Sequence, residues 1–269
     1  MDNISIEEFN RIRSYIKSQF GISLNDEKKT LVYSRLRTTL AELGFDDFTQ
    51  YFDYLTKDKS GEAVTRFIDK ITTNHTFFMR ESDHFDFFRD TVLPYIEKTY
   101  STQKDIRLWC NACSSGEESV TIQMILQDYF KDPSWNTEIL ATDISTQVLD
   151  KAVAGKYHID GVQTLPKAWQ DAYFKKSSDV LYEVSDTIRK KIVYRKFNLM
   201  DTFNFKKNFQ VIFCRNVMIY FDHETKVGLV KKFYDIIEPG GYLFIGHSES
   251  LSNTGTDFKY IKPSVYRKP

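Results

Sequence analysis

The segment "NACSSGEES", residues 111–119, lies between an apolar run, "IRLWC", and a helical one, "VTIQMIL". A strand that turns into a helix in this way commonly cradles a phosphate on backbone N–H groups, and uses several glycines to let the ligand approach. Here Gly116 stands alone, and Glu117 and Glu118 follow it at once. The G-x-G-x-x-G of dinucleotide sites is missing, and two carboxylates would repel a pyrophosphate. An adenosyl ligand with a positive centre suits the turn better. S-adenosylmethionine is such a ligand, with a sulfonium, an ammonium and one carboxylate. A second acid falls where ribose is held: "EILATD" ends on Asp143, whose carboxylate can accept from both ribose hydroxyls. Each acid also has an ordinary reading. Glu117 and Glu118 favour a helix N-terminus, and Asp143 can cap the helix that follows, beside the equally suitable Ser145.

Other chemistries find less support. Cys110 and Cys113 form a C-x-x-C, but no second pair or nearby histidine completes a metal site, so they read as reduced, partly buried thiols. The histidines at 75, 84, 158, 223 and 247 are scattered and contain no H-E-x-x-H, so no metal is expected. "GHSES" (246–250) does not match the G-x-S-x-G elbow of hydrolases, which sets Ser248 aside as a nucleophile.

The elements that must position these residues fall into two kinds. In residues 1–72 apolar side chains recur at steps of three or four: Phe9, Ile12, Ile16, Phe20; Val32, Leu36, Leu40, Leu43; Phe48, Phe52, Leu55; Val64, Phe67, Ile71. "FGISLND" and "KDKSG" break the pattern, which predicts a small helical domain. Residues 73–104 form a linker and a connecting helix over about Ser82 to Lys98. From Asp105 to the end at 269, "IRLWC", "EILAT", "IVYRKF", "FQVIFC" and "GYLFIG" alternate with helices at Glu117–Phe130, Ser145–Val153 and His223–Ile237. That order predicts a mostly parallel α/β sheet with helices on both faces and a ligand beyond the carboxyl ends of its strands. Residues 155–191 are too long for a plain connection. With a helical piece at Ala168–Phe174 and a strand-like "VLYEV", they predict a small appended subdomain within about 155–195, attached by a strand near Ile192.

The totals set bounds. Lys+Arg and Asp+Glu both number 37, so net charge points neither to nucleic acid nor to a membrane surface. No apolar stretch approaches the roughly 18 residues needed to cross a bilayer, and "MDNISIEEFN" lacks the regions of a signal peptide. A cytoplasmic protein without membrane insertion is expected.

Five stretches together carry a resemblance: "TTNHTFFMRESDHF" (72–85), "NACSSGEES" (111–119), "ATDIS" (141–145), "FCRNVMIYFD" (213–222) and "EPGGYLFIGHSESL" (238–251). In this order, and on to "VYRK" near the end, the chain resembles the chemotaxis receptor methyltransferase family, CheR. "CRNVMIYF" is the most specific of these motifs. The resemblance implies a Rossmann-like S-adenosylmethionine-dependent methyltransferase sheet domain, an all-α N-terminal domain and a small inserted β-subdomain. It implies transfer of a methyl group to glutamates on methyl-accepting chemotaxis receptors, at the membrane receptor arrays, with S-adenosylhomocysteine as product. Carried over by motif, Asn74, Thr76 and Arg80 surround the cofactor, Glu118 holds its methionyl end and Asp143 its ribose. Asn198 and Leu199 lie beside the adenine, Arg215 and Asn216 complete the site, and Arg80 and Tyr220 border the reacting methyl.

The chemistry so implied asks little of a base. A glutamate acid has a pKa near 4.3, so the nucleophile is already ionised at neutral pH. The protein must align it and exclude water, work to which the planar fork of Arg80 is suited. Without the motif, Arg80 reads as a helix arginine paired with Glu81 or Asp83, and Tyr220 as a packed aromatic beside Phe221.

Residues 11–37 concentrate Arg11, Arg13, Lys17, Lys28, Lys29, Arg35 and Arg37 against Asp26 and Glu27. Lys28 and Arg35, on one helix face, are the expected docking residues for glutamate-rich receptor helices, against the plain reading of a solvated face with local ion pairs. Thr38 and Ala41 stand where the family has further arginines. "YFKKSSDVLYEV", which corresponds to the family's glycine-rich tether loop, has no glycine, so a chain independent of a receptor C-terminal peptide is expected. The other readings are a non-catalytic S-adenosylmethionine-binding module and a methyltransferase for a small molecule or nucleic acid. The retained methyl-facing pair and the lack of a basic stripe on the sheet half count against them.

Overall fold

The computed structural model describes residues 4–269. Met1–Asn3, where the expected helical domain and the start read against a signal peptide begin, lie outside the described residues. Four helices come first: α1 (Ile6–Phe20), α2 (Lys29–Leu43), α3 (Phe48–Lys57) and α4 (Glu62–Ile71). Ser5 opens α1 with a reciprocal cap, accepting from the Glu8 N–H while the Glu8 carboxylate accepts from the Ser5 N–H. Gly21 closes it in the left-handed conformation, φ 70°. A Cβ there would stand 2.5 Å from Met200 Sδ and 2.8 Å from Thr225 Cγ2, so a bare backbone lets the bundle press against the next domain. The periodic residues Phe9, Ile12, Val32, Leu36, Phe48 and Phe67 meet in one core.

After a linker, α5 (Ser82–Phe87), a π-helical turn (Phe88–Val92) and α6 (Leu93–Thr99) run on continuously. The apolar spacing predicts an unbroken α-helix here, and Pro94 accounts for the difference. It has no N–H and its ring crowds the carbonyl four residues back, a conflict that the wider turn before it relieves.

The sheet half continues with β1 (Leu108–Asn111), α7 (Glu117–Tyr129), β2 (Ile139–Asp143) and α8 (Thr146–Ala154). Then come β3 (Lys156–His158), α9 (Ile159–Gln163), α10 (Lys167–Tyr173), β4 (Phe174–Lys176), β5 (Leu181–Val184) and α11 (Asp186–Arg189). It closes with β6 (Ile192–Lys196), β7 (Phe209–Cys214), α12 (His223–Ile236), β8 (Ile237–Ile245), β9 (Lys259–Lys262) and β10 (Val265–Arg267). The large sheet has the order β6-β2-β1-β7-β8-β10-β9, parallel except for β10, which runs against both neighbours. β1 pairs with β2 on one side and with β7 on the other, so the reversal of strand order falls between β1 and β7. The expected Rossmann-like α/β architecture is what the chain forms. The β9–β10 pair goes beyond the sequence reading: its strands are short, and in β9 lysines flank the exposed Tyr260 and Ile261, so no long apolar run announces them.

Strands β3, β5 and β4 form a separate antiparallel sheet between α8 and α11. Phe174, expected to end a helix, opens β4 instead. β6 pairs with β2 from Ile139↔Ile192 to Asp143↔Lys196 and so belongs to the large sheet, which the chain rejoins at Ile192. Phenylalanines fill both faces of that sheet. Trp109 packs among Phe197, Phe205 and Phe233 on one face, and Phe213 stacks on Phe244 at 4.4 Å on the other. This dry, interlocked sandwich is the rigid base from which the strand ends project.

Candidate active site

The carboxyl ends of β1, β2 and β7 open into a cleft of about 1310 Å³, mouth included, roofed by the segment from Phe20 to Arg35 of the helical domain. Every residue singled out above for cofactor, methyl transfer or docking lies on its wall.

The turn after β1 answers the puzzle of its missing glycines. Ala112 (φ 53°) and Ser114 (φ 51°) adopt the left-handed conformation without being glycine, and Gly116 follows at φ 97°. Met79, Glu81 and Asn216 do the same, at 57°, 57° and 58°. Such residues cost on the order of 1–3 kcal/mol each and persist only where the surroundings fix them. The fixing groups are visible. The Ser114 N–H donates to Asp143 Oδ2 at 2.9 Å, and its hydroxyl donates to the Asn74 carbonyl at 2.8 Å. Asp143 Oδ1 accepts from the Ser145 N–H at 3.0 Å, while Ser145 itself caps α8. Burial pushes the Asp143 carboxyl above the usual carboxylate range, with these N–H bonds opposing.

Arg215, at the end of β7, is the hub of the deeper wall, with a side chain only 1 % exposed. It donates to Glu118 at 2.6 Å, to Glu81 at 3.0 Å and to the Arg80 carbonyl. Burial works against its charge, but the Glu118 and Glu81 carboxylates hold its pKa above the ordinary arginine value. For Glu81, burial is more than offset by Arg215, Asn216 and the His247 N–H, and its carboxyl lies below the usual range. Glu118, assigned to the methionyl end, thus has one oxygen on Arg215 and the other accepting from the Cys110 thiol at 3.1 Å. All three cysteines are free and buried. Beside this network burial pushes the His84 imidazole down to about 4, so it is neutral at physiological pH. Donor atoms of Glu81, His84 and His247 come within 4.8 Å of one another, but the Arg215 guanidinium already supplies the positive charge against Glu81.

Arg80 makes no ion pair among the described residues. Glu81 turns to Arg215 and Asp83 to His247 and Lys262, while Arg80 donates to the His75 carbonyl at 2.8 Å and lies over Phe77. Its fork is anchored by one nitrogen at the cleft wall, next to half-buried Thr76. Asn216 donates to Glu81 at 3.2 Å and Tyr220 stands beyond it, its backbone carbonyl accepting from the Ser23 N–H at 2.8 Å. Asn198 spends its amide on the fold, donating to the Gln19 carbonyl at 2.7 Å and accepting from the Met200 N–H. Leu199 adds buried apolar wall.

Two carboxylates escaped the sequence reading. Glu81 holds Arg215 and Asn216, and Glu249 accepts from the N–H groups of Gly246, Asn216 and Ile219, its pKa raised by burial. Both sit inside recognisable motifs, one beside Arg80 and one in "GHSES". Nothing in their spacing distinguishes a buried acid from a helix-start acid.

Arg35, one of the two expected docking residues, is engaged within the fold. Its guanidinium donates to the Ile71 and Thr72 carbonyls and, at 2.9 Å, to the Thr73 hydroxyl, so it braces α2 against the linker. Arg11, Arg13 and Lys17 are likewise held by Asp53, Asp26 and Asp222. Lys28, Lys29 and Arg37 form no ion pair among the described residues, and Lys28 lies at the cleft mouth.

Comparison with known proteins gives this geometry its family. Residues 7–72 match the profile described as "CheR methyltransferase, all-alpha domain", and residues 74–267 match "CheR methyltransferase, SAM binding domain". The chain belongs to the CheR methyltransferase family. A chemotaxis protein methyltransferase of Borreliella burgdorferi is 42 % identical over 99 % of this chain and 95 % of its own length. That of Escherichia coli is 33 % identical over 98 % and 91 %. Among solved structures, the glycopeptide N-methyltransferase MtfA with sinefungin aligns at TM-score 0.33 and 13 % identity, over 58 % of this chain and 48 % of that one. The family profile over residues 74–267 makes S-adenosylmethionine the cofactor of this CheR sheet domain, and the cleft fits it. Glu118 and Asp143 put carboxylates on its wall, Arg215 is already neutralised, and no run of bare glycine N–H groups waits for a pyrophosphate.

Proposed function

We propose that this protein methylates glutamate side chains on the cytoplasmic domains of chemotaxis receptors, drawing the methyl group from S-adenosylmethionine. The observation that carries the reading is the cleft at the strand-order reversal, with the Glu118 and Asp143 carboxylates on its wall, roofed by a helical domain with Lys28 at its mouth. Bound there, S-adenosylmethionine supplies a sulfonium methyl open to displacement. Asp143 takes the ribose hydroxyls, Asn74 and Thr76 line the linker side, and Asn198 and Leu199 the adenine side. Arg215 and Asn216, tied to Glu81, keep Glu118 in place for the ammonium of the methionyl end. A receptor glutamate enters as its carboxylate and needs no base. The free face of the Arg80 fork steers it, Tyr220 closes the opposite side, and both exclude water from the reacting pair.

No described helix is long and apolar enough to cross a membrane, so the receptor is met by docking. Lys28 is the docking contact, and Lys29 and Arg37 extend its charge. The hairpin between β4 and β5 spans only residues 177–180 and contains no glycine, which supports independence from a C-terminal receptor peptide. The test is incubation of the purified protein with methyl-labelled S-adenosylmethionine and receptor cytoplasmic fragments, with and without their C-terminal peptide. Base-labile label on glutamate, at equal rates for both fragments, is expected. Base-stable label, or none, would reject receptor esterification, and faster labelling of the fragment with the peptide would reject tether independence.

A further inference from the structure

We infer that Tyr157, on the small inserted sheet, is a positioning residue of the cofactor site: its phenol holds the acidic turn from behind in the shape that binds S-adenosylmethionine. The inference rests on the cofactor reading above and adds to it a function for the insert. Tyr157 is the middle residue of β3, and its strand neighbours Lys156 and His158 are exposed, so Tyr157 alone of the three points inward. It is 6 % exposed, and its hydroxyl donates to the Ser115 carbonyl at 2.9 Å.

Ser115 follows the strained Ser114, whose N–H and hydroxyl are fixed by Asp143 and by the Asn74 carbonyl. The turn is therefore held at three points by three separate parts of the chain: β2, the linker and the insert. The back of the turn is pressed against phenols. A Cβ on Gly116 would lie 2.8 Å from the Tyr157 oxygen and 2.9 Å from that of Tyr194. Tyr194 also lies 3.0 Å from the Ser119 hydroxyl, which donates to the Gly116 carbonyl. The same Tyr157 ring meets Phe78 edge-on at 4.9 Å, and Phe78 in turn meets Phe174 of β4 at 5.7 Å. Phe78 is two residues from Arg80, so one side chain of the insert supports both the turn that holds the cofactor and the linker that carries the carboxylate-steering arginine.

Without the phenol the turn keeps its sequence but loses a restraint on two left-handed residues, and it relaxes toward conformations that do not match the ligand. One neutral hydrogen bond in this setting corresponds to about a 3- to 10-fold change in affinity. The test is Tyr157→Phe in the full chain, with Tyr182→Phe as control. Tyr182 is the register partner of Tyr157 on β5, and its hydroxyl makes no hydrogen bond among the described residues.

Calorimetry with S-adenosylhomocysteine is expected to show a 3- to 10-fold higher Kd for Tyr157→Phe and a parent-like Kd for Tyr182→Phe. KM for S-adenosylmethionine should rise in step, KM for the receptor fragment should stay at the parent value, and Tm without ligand should move by no more than about 2 °C. A product Kd equal to the parent's, or a rise shared equally by Tyr182→Phe, overturns the inference. Failure of the parent itself to bind the product would instead overturn the cofactor reading, so the two failures are distinguishable. Should Tyr157→Phe lower Tm sharply, a double-mutant cycle with Gly116→Ala decides. The strain of alanine at φ 97° is common to both backgrounds and cancels, and its affinity penalty should be smaller where the 2.8 Å phenol contact is gone. Equal penalties would overturn the inference.

Discussion

The two walls of the cleft are built on opposite plans. On the sheet side Arg215 is nearly inaccessible and its two carboxylate partners are only 14 % exposed. The backbone there is held left-handed at Ala112, Ser114, Glu81 and Asn216 by specific N–H and hydroxyl donors. On the helical side Lys28 is exposed and Leu31 is 37 % exposed, and beside the close packing of Gly21 and Ile22 the helical domain meets the sheet domain through a few polar contacts near the mouth. Those contacts are the Ser23 N–H to the Tyr220 carbonyl, Asn198 to the Gln19 carbonyl, and Lys17 to Asp222. A small ligand with fixed charges rewards the first plan, because a preorganised site loses no energy in rearranging. A macromolecular helix that must arrive, present one carboxylate and leave is served better by the second.

Breaking the preorganised wall should have the largest effect. Arg215→Ala leaves Glu81 and Glu118 buried without a counter-charge, and removal of one partner from such a buried network costs about 3–5 kcal/mol. Urea unfolding should show that loss, together with disappearance of measurable S-adenosylhomocysteine binding. A variant of parent-like stability would mean that the two acids find water or protons in its place, and the contrast between the walls would then be one of shape and not of charge.

Arg80 stands where the walls meet, so its substitution separates them. Arg80→Ala leaves the Arg215 network and the acidic turn intact but removes a cleft-wall guanidinium that has no ion pair among the described residues. A misplaced nucleophile costs on the order of 10²-fold. kcat is therefore expected to fall about 100-fold while the Kd for S-adenosylhomocysteine stays within a few-fold of the parent. Loss of product binding with unchanged kcat would move Arg80 from substrate alignment to the cofactor wall.

The asymmetry also marks what the sequence could show. The helices of the bundle and the strands β1, β2, β7 and β8 were legible because their apolar periods are long and clean. That a ligand lies beyond the carboxyl ends of the strands, beside Gly116, Glu118 and Asp143, followed from the alternation of strand and helix, whereas the switch between β1 and β7 came only with the fold. Beyond that, periodicity is silent. The left-handed Ala112 and Ser114 are ordinary residue types, and only distant acceptors, Asp143 and the Asn74 carbonyl among them, hold the turn. Glu81 and Glu249 look like surface acids until β7 and the segment after β8 bring Arg215 and a set of backbone N–H groups to them. Arg35 shows the converse: a basic residue on a basic helix reads as a docking group, and only the fold reveals the carbonyls of Ile71 and Thr72 beneath it.

Lys28 provides the finest test of the helical wall, since its charge is opposed by no carboxylate among the described residues. An exposed lysine contributes little to any one contact, and a single surface pair is worth roughly 0–1 kcal/mol. Lys28→Glu replaces an attraction with a repulsion, so KM for the receptor fragment should rise about 3- to 10-fold at low salt. The increase should shrink as ionic strength shortens the reach of the charge. kcat and the Kd for S-adenosylhomocysteine should not move, because no residue of the sheet wall is touched. Arg35→Glu ought to behave differently, with a lowered Tm and a salt-independent defect, because it detaches α2 from the linker before any partner arrives. If both reversals gave the same salt-sensitive rise in KM, Arg35 would be a docking residue despite its internal bonds. If neither changed KM, the receptor would approach over another face, and the exposed roof of the cleft would serve only to cover the cofactor.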